Sequence, residues 1–270
     1  RYQELAEALS EGKVSVGDAE EALLAMKNPY DTIALQAAGI GYRADYAYHN
    51  GKYYVYFGIV PVLLLYLPYY LLTGGALQNY VAVFVFFAGF IIAAAGFVYE
   101  LMKRYFKEQP FYLWAVGTGM LVGSYSMFYL LIRPDLYHVP IVASAMFATG
   151  GLWLYLAGLN RPKKAVGLYA FGSFCMALTA GCRPQFILFA ALAVVLFWER
   201  VFVKRELFSK KGWRQTAALV VPYVLIAAGL MAYNALRFGS PFDFGASYSM
   251  TSNDMTHRGM NLERILYGIW

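Results

Sequence analysis

Apolar residues lie along most of the chain in runs that are separated by short polar connections. After residue 78 these runs approach the roughly 20 residues that a helix needs to cross a bilayer. We interpret six of them as membrane helices, covering residues 80–101, 111–132, 139–159, 166–182, 186–202 and 216–236. The pattern therefore predicts a six-helix transmembrane bundle over residues 79–238, followed by a loop and the start of a further segment over residues 239–270.

The first 50 residues have a different pattern, with isolated apolar positions among polar ones. An amphipathic helix ending at Gly12 is predicted by the i, i+3, i+4, i+7 spacing of Tyr2, Leu5, Ala6 and Leu9. Ser15 and Asp18 resemble a capping box, which predicts a second helix that ends at residues 28 and 29, Asn-Pro. A polar, aromatic loop is expected over residues 30–50.

Residues 51–74 are predicted to be an apolar helix whose relation to the membrane is ambiguous. Its length suits a membrane span. Pro61, Pro68, the tyrosines and the early Lys52 favour an interfacial helix instead, because Tyr prefers the membrane interface. If this helix does not span, residues 1–78 form one loop on a single side of the membrane.

Composition and charge support an integral membrane protein. Hydrophobic residues make up 60% of the chain and charged residues 14%, whereas soluble domains have about 25% charged residues. The net charge of +6 lies largely in short loops, which favours membrane orientation and anionic lipids over nucleic acid as its explanation. Cys175 and Cys182 are separated by roughly 10 Å of helix rise, too far for a disulfide.

The connections between the predicted helices are alternately rich and poor in basic residues. One set contains twelve Lys and Arg residues, within residues 103–107, 161–164 and 200–214. The other set contains three, Arg133, Arg183 and Arg237. Short loops rich in Lys and Arg are cytoplasmic. The second set and the first loop are therefore predicted to be extracytoplasmic in a cell membrane.

Several motifs together resemble the GT-C superfamily of membrane glycosyltransferases. They are the Asp-bearing aromatic segment 42–50, the Gly-x-Tyr-Tyr at 51–54 before a Pro-containing apolar helix, the Lys103-Arg104 that closes the next helix, and residues 234–245. This resemblance, which extends to protein O-mannosyltransferases, lipid A aminoarabinose transferases and oligosaccharyltransferases, implies that 51–74 is a non-spanning juxtamembrane helix. The fold class that we predict is an all-α, multi-pass helical bundle with amphipathic juxtamembrane helices in the first extracytoplasmic loop.

The resemblance also implies an activity. Such an enzyme moves a sugar from a polyprenyl-phosphate donor to an acceptor glycan, lipid or protein at the outer face of the membrane, here expected to be a bacterial plasma membrane. Members usually have an acidic residue a few positions before an Arg-Tyr pair such as Arg1-Tyr2. We therefore expect the sequence to be part of a longer protein, and the resemblance leaves open whether the principal catalytic carboxylate precedes Arg1.

Three carboxylates are candidates for deprotonating or orienting the acceptor hydroxyl. Asp45 is the first, and its alternative role is to pair with Arg43 or to cap a turn. Asp31 follows a turn sequence and has a helix cap as its alternative role. Asp135 has an ion pair with Arg133 as its alternative role. Contacts with the sugar or acceptor are assigned to Tyr46, Tyr48 and His138.

Four cations are candidates for binding the donor phosphate, namely Lys52, Arg133, Arg183 and Arg237. Arg183 is the most informative, because a charge between two apolar helices is costly and tends to be functional. Each has a structural alternative. It is snorkelling to lipid headgroups for Lys52, the ion pair with Asp135 for Arg133, a bond to backbone carbonyls freed by a proline for Arg183, and a tight turn for Arg237.

No cofactor is predicted, although Asp135 and His138 leave a divalent metal open as an alternative. Phosphate-loop, zinc-protease and serine-hydrolase motifs are absent from the sequence. A transporter or flippase of a lipid-linked sugar is the alternative function, in which the arginines would line a substrate path. The ionisable residues lie at helix ends rather than in the middle of helices, which favours the transferase.

Overall fold

The computed structural model describes residues 1–124, 127–207, 209, 210, 212–252 and 254–257. Within these residues the chain is mostly helical, with one small antiparallel sheet. The helices agree with the predicted all-α class, and the sheet is an addition to it.

The first 78 residues fold into short helices and strands around a buried aromatic core. In chain order these are α1 (Tyr2–Ser10), β1 (Gly17–Asp18), α2 (Glu21–Leu24), α3 (Thr32–Ala37), β2 (Ala47–His49), β3 (Lys52–Tyr54) and α4 (Ile59–Thr73). The prediction for α1 is confirmed, since Tyr2, Leu5 and Ala6 on its apolar face are buried. The predicted second helix is wrong over its first part, because Gly17 and Asp18 pair with β3 as a strand.

The sheet has the strand order β1-β3-β2, with β3 in the middle and both neighbours antiparallel to it. β2 and β3 are joined by a two-residue turn, and His49 pairs with Lys52 across it. Asn50 and Gly51 in that turn have φ angles of 48° and 78°. Positive φ at both central positions is the requirement of a type I′ hairpin turn, and Asn-Gly is the preferred sequence for it.

The prediction of one helix over residues 51–74 is wrong in its first part. Residues 52–54 are strand β3, and α4 begins at Ile59, after the left-handed Gly58. α4 has a π-helical turn at Val62–Tyr66 and ends before Gly74, which is also left-handed. A helix over residues 59–73 is roughly 22 Å long at 1.5 Å per residue, shorter than the roughly 30 Å of a bilayer core.

Five helices of the described chain are long and apolar enough to cross a membrane. They are α5 (Asn79–Tyr105), α8 (His138–Asn160), α9 (Pro162–Cys182), α10 (Pro184–Val203) and α11 (Trp213–Phe238). Between α5 and α8 lie α6 (Tyr112–Ser124) and α7 (Met127–Ile132). These two cover most of the predicted span 111–132, which also includes residues 125 and 126, outside the described part. The protein is thus a membrane protein built on a helical bundle.

The bundle is packed around α8, which lies between α5 and α9, and α9 packs in turn against α11. Close approach of α8 and α9 depends on glycine. A Cβ on Gly172 would lie 2.8 Å from the Tyr155 ring and 3.1 Å from the carbonyl oxygen of Gly151. Small residues at such contacts are typical of membrane helices. In contrast, α10 and α11 bury little of their apolar surface within the protein, which leaves it for lipid.

Contacts between elements define two ends of the bundle. At the first, which we call the first-loop end, the Tyr2 hydroxyl donates to the Leu136 carbonyl at 2.8 Å, and the Gly58 amide donates to the Cys182 carbonyl at 3.0 Å. At the opposite end, which we call the basic end, Arg161 pairs with Glu100. The Arg133, Arg183 and Arg237 connections thus lie with residues 1–78, and the basic connections lie at the other end.

The chain after α11 returns to the first loop. Ala47 and Ser249 form an antiparallel bridge. The Asp45 amide donates to the Met250 carbonyl at 2.8 Å, and the Met250 amide donates to the Tyr46 carbonyl at 2.9 Å. The segment after residue 239, predicted as a loop and the start of a further segment, is therefore docked on the first loop as far as Asp254, which accepts a hydrogen bond from Asn28. Residues 258–270 lie outside the described part.

Candidate functional site

Tyr137, in the connection between α7 and α8, brings together two of the predicted site residues. The Asp45 carboxylate lies close enough to its hydroxyl to help raise the pKa of the Tyr137 phenol. The guanidinium carbon of Arg183 lies 5.8 Å from the centroid of the same ring. A candidate base from the first loop and a candidate phosphate ligand from the α9–α10 connection therefore both lie near one tyrosine, at the first-loop end of the bundle.

Asp45 is held in an unusual backbone conformation. Its φ angle is 57°, in the left-handed region that non-glycine residues adopt infrequently. The hydrogen bonds to Met250 on both sides of this position keep it there. Its carboxylate lies 3.4 Å from Nη1 of Arg1. Burial, together with the nearby Asp45 carboxylate, raises the pKa of the Tyr137 phenol above its ordinary value, so Tyr137 stays protonated at neutral pH.

Arg183 is a half-buried cation without a protein counter-ion in the described part of the chain. It follows the last residue of α9 and precedes Pro184. Its guanidinium lies over the rings of Phe57, at 5.4 Å, and Tyr137. These cation–π contacts orient the group but leave its hydrogen-bond donors unused by any described residue. An anion placed beside the two rings would be a strong partner for it.

A second set of charges surrounds the Tyr46 ring. Arg1 and Arg43 lie 5.2 Å and 4.4 Å from its centroid, and its hydroxyl donates to Glu4 at 2.9 Å. Glu4 also pairs with Arg43. Burial and the hydrogen bond to Glu4 raise the pKa of Tyr46 to about 12. Burial alone would raise the pKa of Glu4, but the Tyr46 hydrogen bond and the charge of Arg43 outweigh it and lower the pKa.

The structure does not present the two tyrosines that were predicted to contact sugar. Tyr46 is 5% exposed and Tyr48 is 6% exposed. Tyr48 packs against Tyr30 and Tyr53, and its carbonyl accepts a hydrogen bond from the Tyr30 hydroxyl at 2.9 Å. In this conformation both rings belong to the core of the first loop, so neither offers a free face for a sugar to stack on.

Asp31, Asp135, His138 and Arg133 lie outside the site around Tyr137. Asp31 caps α3, because its Oδ1 accepts a hydrogen bond from the Ala34 amide at 3.0 Å, which matches its structural alternative. The expected pair of Arg133 with Asp135 is not formed. Asp135 instead lies 3.5 Å from His138 Nδ1, which also contacts the Arg133 carbonyl. Arg133 and Asp135 are exposed, and the contacts of His138 close the turn before α8.

Arg237 and Lys52 also differ from their predicted positions. Arg237 is 4% exposed, and its guanidinium donates to the Val55 carbonyl at 2.8 Å and to Oδ1 of Asn234 at 2.7 Å. In this conformation Arg237 connects the end of α11 to Val55, the residue that follows β3. Lys52 is exposed on β3 and precedes the start of α4 by seven residues, so it does not mark the entry of an apolar helix into lipid.

An apolar groove lies between α10 and α11 and extends towards the first-loop end, although Arg183 is not among its lining residues. Its wider part has a volume of about 460 Å³ and lies between α10 and α11, with Val194, Phe197 and Val220 among its lining residues. Tyr223 also lines the narrower part, of about 190 Å³, which continues towards the first-loop end. That part ends beside Ala180, which also borders a small space next to Phe57 and Pro184.

A separate cavity of about 430 Å³ opens on the other side of Arg1. It is lined by α1, by the start of α5 and by Pro134 and Leu136 of the α7–α8 connection. Its lining is about equally polar and apolar, with Gln3 and Asn79 among the polar side chains. Arg1 borders this cavity and also contacts Asp45, so the cavity adjoins the site around Tyr137.

Sequence reasoning missed the residues that organise the site, Tyr137, Phe57 and Arg1. In the sequence Tyr137 lies between Asp135 and His138, which were both proposed as site residues, and its position in an outer connection was the available signal.

Among the described residues no group of three or more His, Cys, Asp and Glu side chains is placed to hold a metal ion. No protein-family model matches the chain, and no curated protein or solved structure is significantly similar to it.

Proposed function

We propose that this protein is a membrane glycosyltransferase that takes a sugar from a polyprenyl-phosphate donor and transfers it to an acceptor at the first-loop end of the bundle. The observation that carries the proposal is the environment of Arg183. Its half-buried guanidinium has no counter-ion in the described chain and contacts the ring of Tyr137, whose phenol lies near the Asp45 carboxylate. An apolar groove reaches Ala180, three residues before Arg183. A phosphate on a long apolar tail has the matching chemistry.

The proposed reaction uses the two groups in complementary ways. Asp45 accepts the proton of the acceptor hydroxyl as its oxygen attacks the anomeric carbon of the donor sugar. The bond between that carbon and the phosphate oxygen breaks, and its electron pair leaves with the polyprenyl phosphate. Arg183 stabilises the negative charge that develops on that oxygen. One displacement of this kind inverts the configuration at the anomeric carbon.

The remaining contacts support this division of roles. The Tyr137 phenol lies near the Asp45 carboxylate, where it is placed to donate a hydrogen bond to it. Arg1, 3.4 Å from the same carboxylate, is available as a second cation for the donor. The groove between α10 and α11 is apolar and opens towards lipid, which suits a polyprenyl tail. The polar cavity beside Arg1 supplies space for an acceptor.

The test is transfer from a radiolabelled polyprenyl-phosphate sugar by the full-length protein in proteoliposomes. Asp45→Asn is expected to lower the rate roughly 100-fold or more, the usual contribution of a general base. Arg183→Gln is expected to lower it by a similar factor, through the lost stabilisation of the leaving group. Matched controls are Asp18→Asn, an exposed Asp of the same loop, and Arg214→Gln at the basic end; both are expected to stay within about twofold.

Normal transfer by both Asp45→Asn and Arg183→Gln would reject the site. Movement of the labelled lipid across the bilayer without any transfer of its sugar would instead support the alternative, a flippase. The same preparation answers both questions, because the sugar is followed chemically and the lipid is followed by its accessibility on each side.

A further inference from the structure

The basic end of the bundle contains a pocket that the proposed reaction does not use. Its volume is about 480 Å³, and it lies where α5 and α8 end side by side. Three cations line it, Lys103, Arg104 and Lys107, and the rest of the wall is formed by Tyr105, Leu159, Asn160 and Pro162. The lining is about half polar and half apolar. A ligand for this pocket would therefore combine negative charge with an apolar portion.

Arg104 is fixed in the wall of this pocket by neutral groups. Its Nη1 donates to the Leu159 carbonyl at 3.4 Å and to Oδ1 of Asn160 at 3.3 Å, and its Nε donates to the Tyr105 hydroxyl at 3.3 Å. Asn160 is itself held by Glu100, whose carboxylate accepts from Nδ2 at 2.9 Å. The guanidinium is therefore positioned without having its charge neutralised.

Two of the acidic residues near the pocket are already paired, and the third, the exposed Glu108, forms no ion pair with a described residue. Glu100 is buried and bonds to Arg161, and Glu199 lies 2.9 Å from Lys204. Within the described residues, neither Lys103 nor Lys107 has a carboxylate within 4 Å. Both lysines are exposed, so they are free to close on an anion. The pocket thus keeps three positive charges available in a space of defined shape.

The position of the pocket along the membrane normal identifies the source of such an anion. α5 has 27 residues and is roughly 40 Å long, about the thickness of a bilayer including its headgroups. Its last turn therefore reaches the headgroup layer. We infer that the pocket binds the phosphate of an anionic phospholipid, with Lys103, Arg104 and Lys107 on the phosphate and Leu159 and Pro162 against the start of the acyl chains. Basic pockets between membrane helices are suited to such headgroups.

The test measures lipid retention by the full-length protein in detergent, using native mass spectrometry and phosphatidylglycerol or phosphatidylcholine with identical acyl chains. The wild type is expected to retain phosphatidylglycerol in preference to phosphatidylcholine. Lys103→Gln with Lys107→Gln is expected to weaken that retention at least tenfold, since each basic residue near the surface contributes about 1 kcal/mol. The matched control, Lys210→Gln with Arg214→Gln, removes two charges from another connection at the same end and is expected to stay within about twofold.

Three results would overturn the inference. Equal retention of the two lipids by the wild type would remove the preference for an anionic headgroup. Equal loss in the two double variants would mean that diffuse charge, rather than the pocket, attracts the lipid. Displacement of the lipid by millimolar inorganic phosphate would assign the pocket to a soluble phosphate. If the double variant does not fold, the comparison is repeated with Lys107→Gln alone, because Lys107 lies outside any helix. This single variant is expected to weaken phosphatidylglycerol retention roughly fivefold.

Discussion

The buried ion pair at the basic end gives the sharpest stability prediction, because its two partners differ in exposure. The Glu100 side chain is 2% exposed, whereas that of Arg161 is 38% exposed. Removing Arg161 leaves a buried carboxylate whose side-chain partner among the described residues is Asn160. Removing the charge of Glu100 leaves a guanidinium that can turn towards water. The two single substitutions are therefore expected to have unequal costs.

The magnitudes follow from this difference. Breaking a buried pair by removing one partner costs about 3–5 kcal/mol, and we expect about 3 kcal/mol for Arg161→Ala because Asn160 still donates to the carboxylate. Glu100→Gln retains a hydrogen-bond acceptor for Asn160 and is expected to cost about 1 kcal/mol. The double variant has no buried charge and is expected to cost about 1 kcal/mol rather than the sum of 4.

The assay is reversible unfolding in mixed micelles, followed by circular dichroism, for the two single variants, the double variant and Lys164→Ala. Lys164 is an exposed neighbour in the same connection, and its substitution is expected to change the free energy of unfolding by less than about 0.5 kcal/mol. Equal losses for Arg161→Ala and Glu100→Gln, or a double variant whose loss is the sum of theirs, would refute the reasoning from burial.

Two further predictions concern packing and topology. Gly172→Ala is expected to lower stability by about 1–3 kcal/mol in thermal unfolding, because the new methyl group meets the Tyr155 ring. Gly167→Ala on the same helix meets nothing within 4 Å and is expected to be neutral or stabilising; the opposite order would contradict the packing of α8 on α9. Cysteines at the exposed positions Lys52 and Lys210, treated with an impermeant maleimide on intact cells, should give labelling at position 52 alone. Labelling at position 210 alone would reverse the predicted sides of the membrane.

The long helices could be predicted from the sequence because a single physical requirement determines them. A segment that crosses lipid must satisfy its backbone internally and be apolar over about 20 residues. The ends of α8 and α11 accordingly lie within three residues of the predicted boundaries. The amphipathic period of α1 was equally informative, since the burial of Leu5 and Ala6 follows directly from their spacing.

The first loop was predicted less well, because its structure depends on pairing between distant residues. The hairpin of β2 and β3 had a local signal, the Asn50-Gly51 turn, which the apolar run after it obscured. β1 had no local sequence signal, because a two-residue strand is defined only by its pairing with Lys52 and Tyr53. The lesson of residues 51–74 is that hydrophobicity identified a buried segment but could not divide it into a strand and a helix.

The candidate site shows why chemistry was harder to predict than topology. Topology alone brings Asp45, Arg183 and Arg237 to one end of the bundle, but it does not say which charges are already paired. Arg237 bonds to protein acceptors and is buried, whereas Arg183 faces two aromatic rings with no counter-ion in the described chain. The difference arises from two residues without charge. The Val55 carbonyl accepts a hydrogen bond from Arg237, whereas Tyr137 offers Arg183 only the face of its ring. An unpaired arginine is thus identified by the neutral groups around it, which only the folded chain brings together.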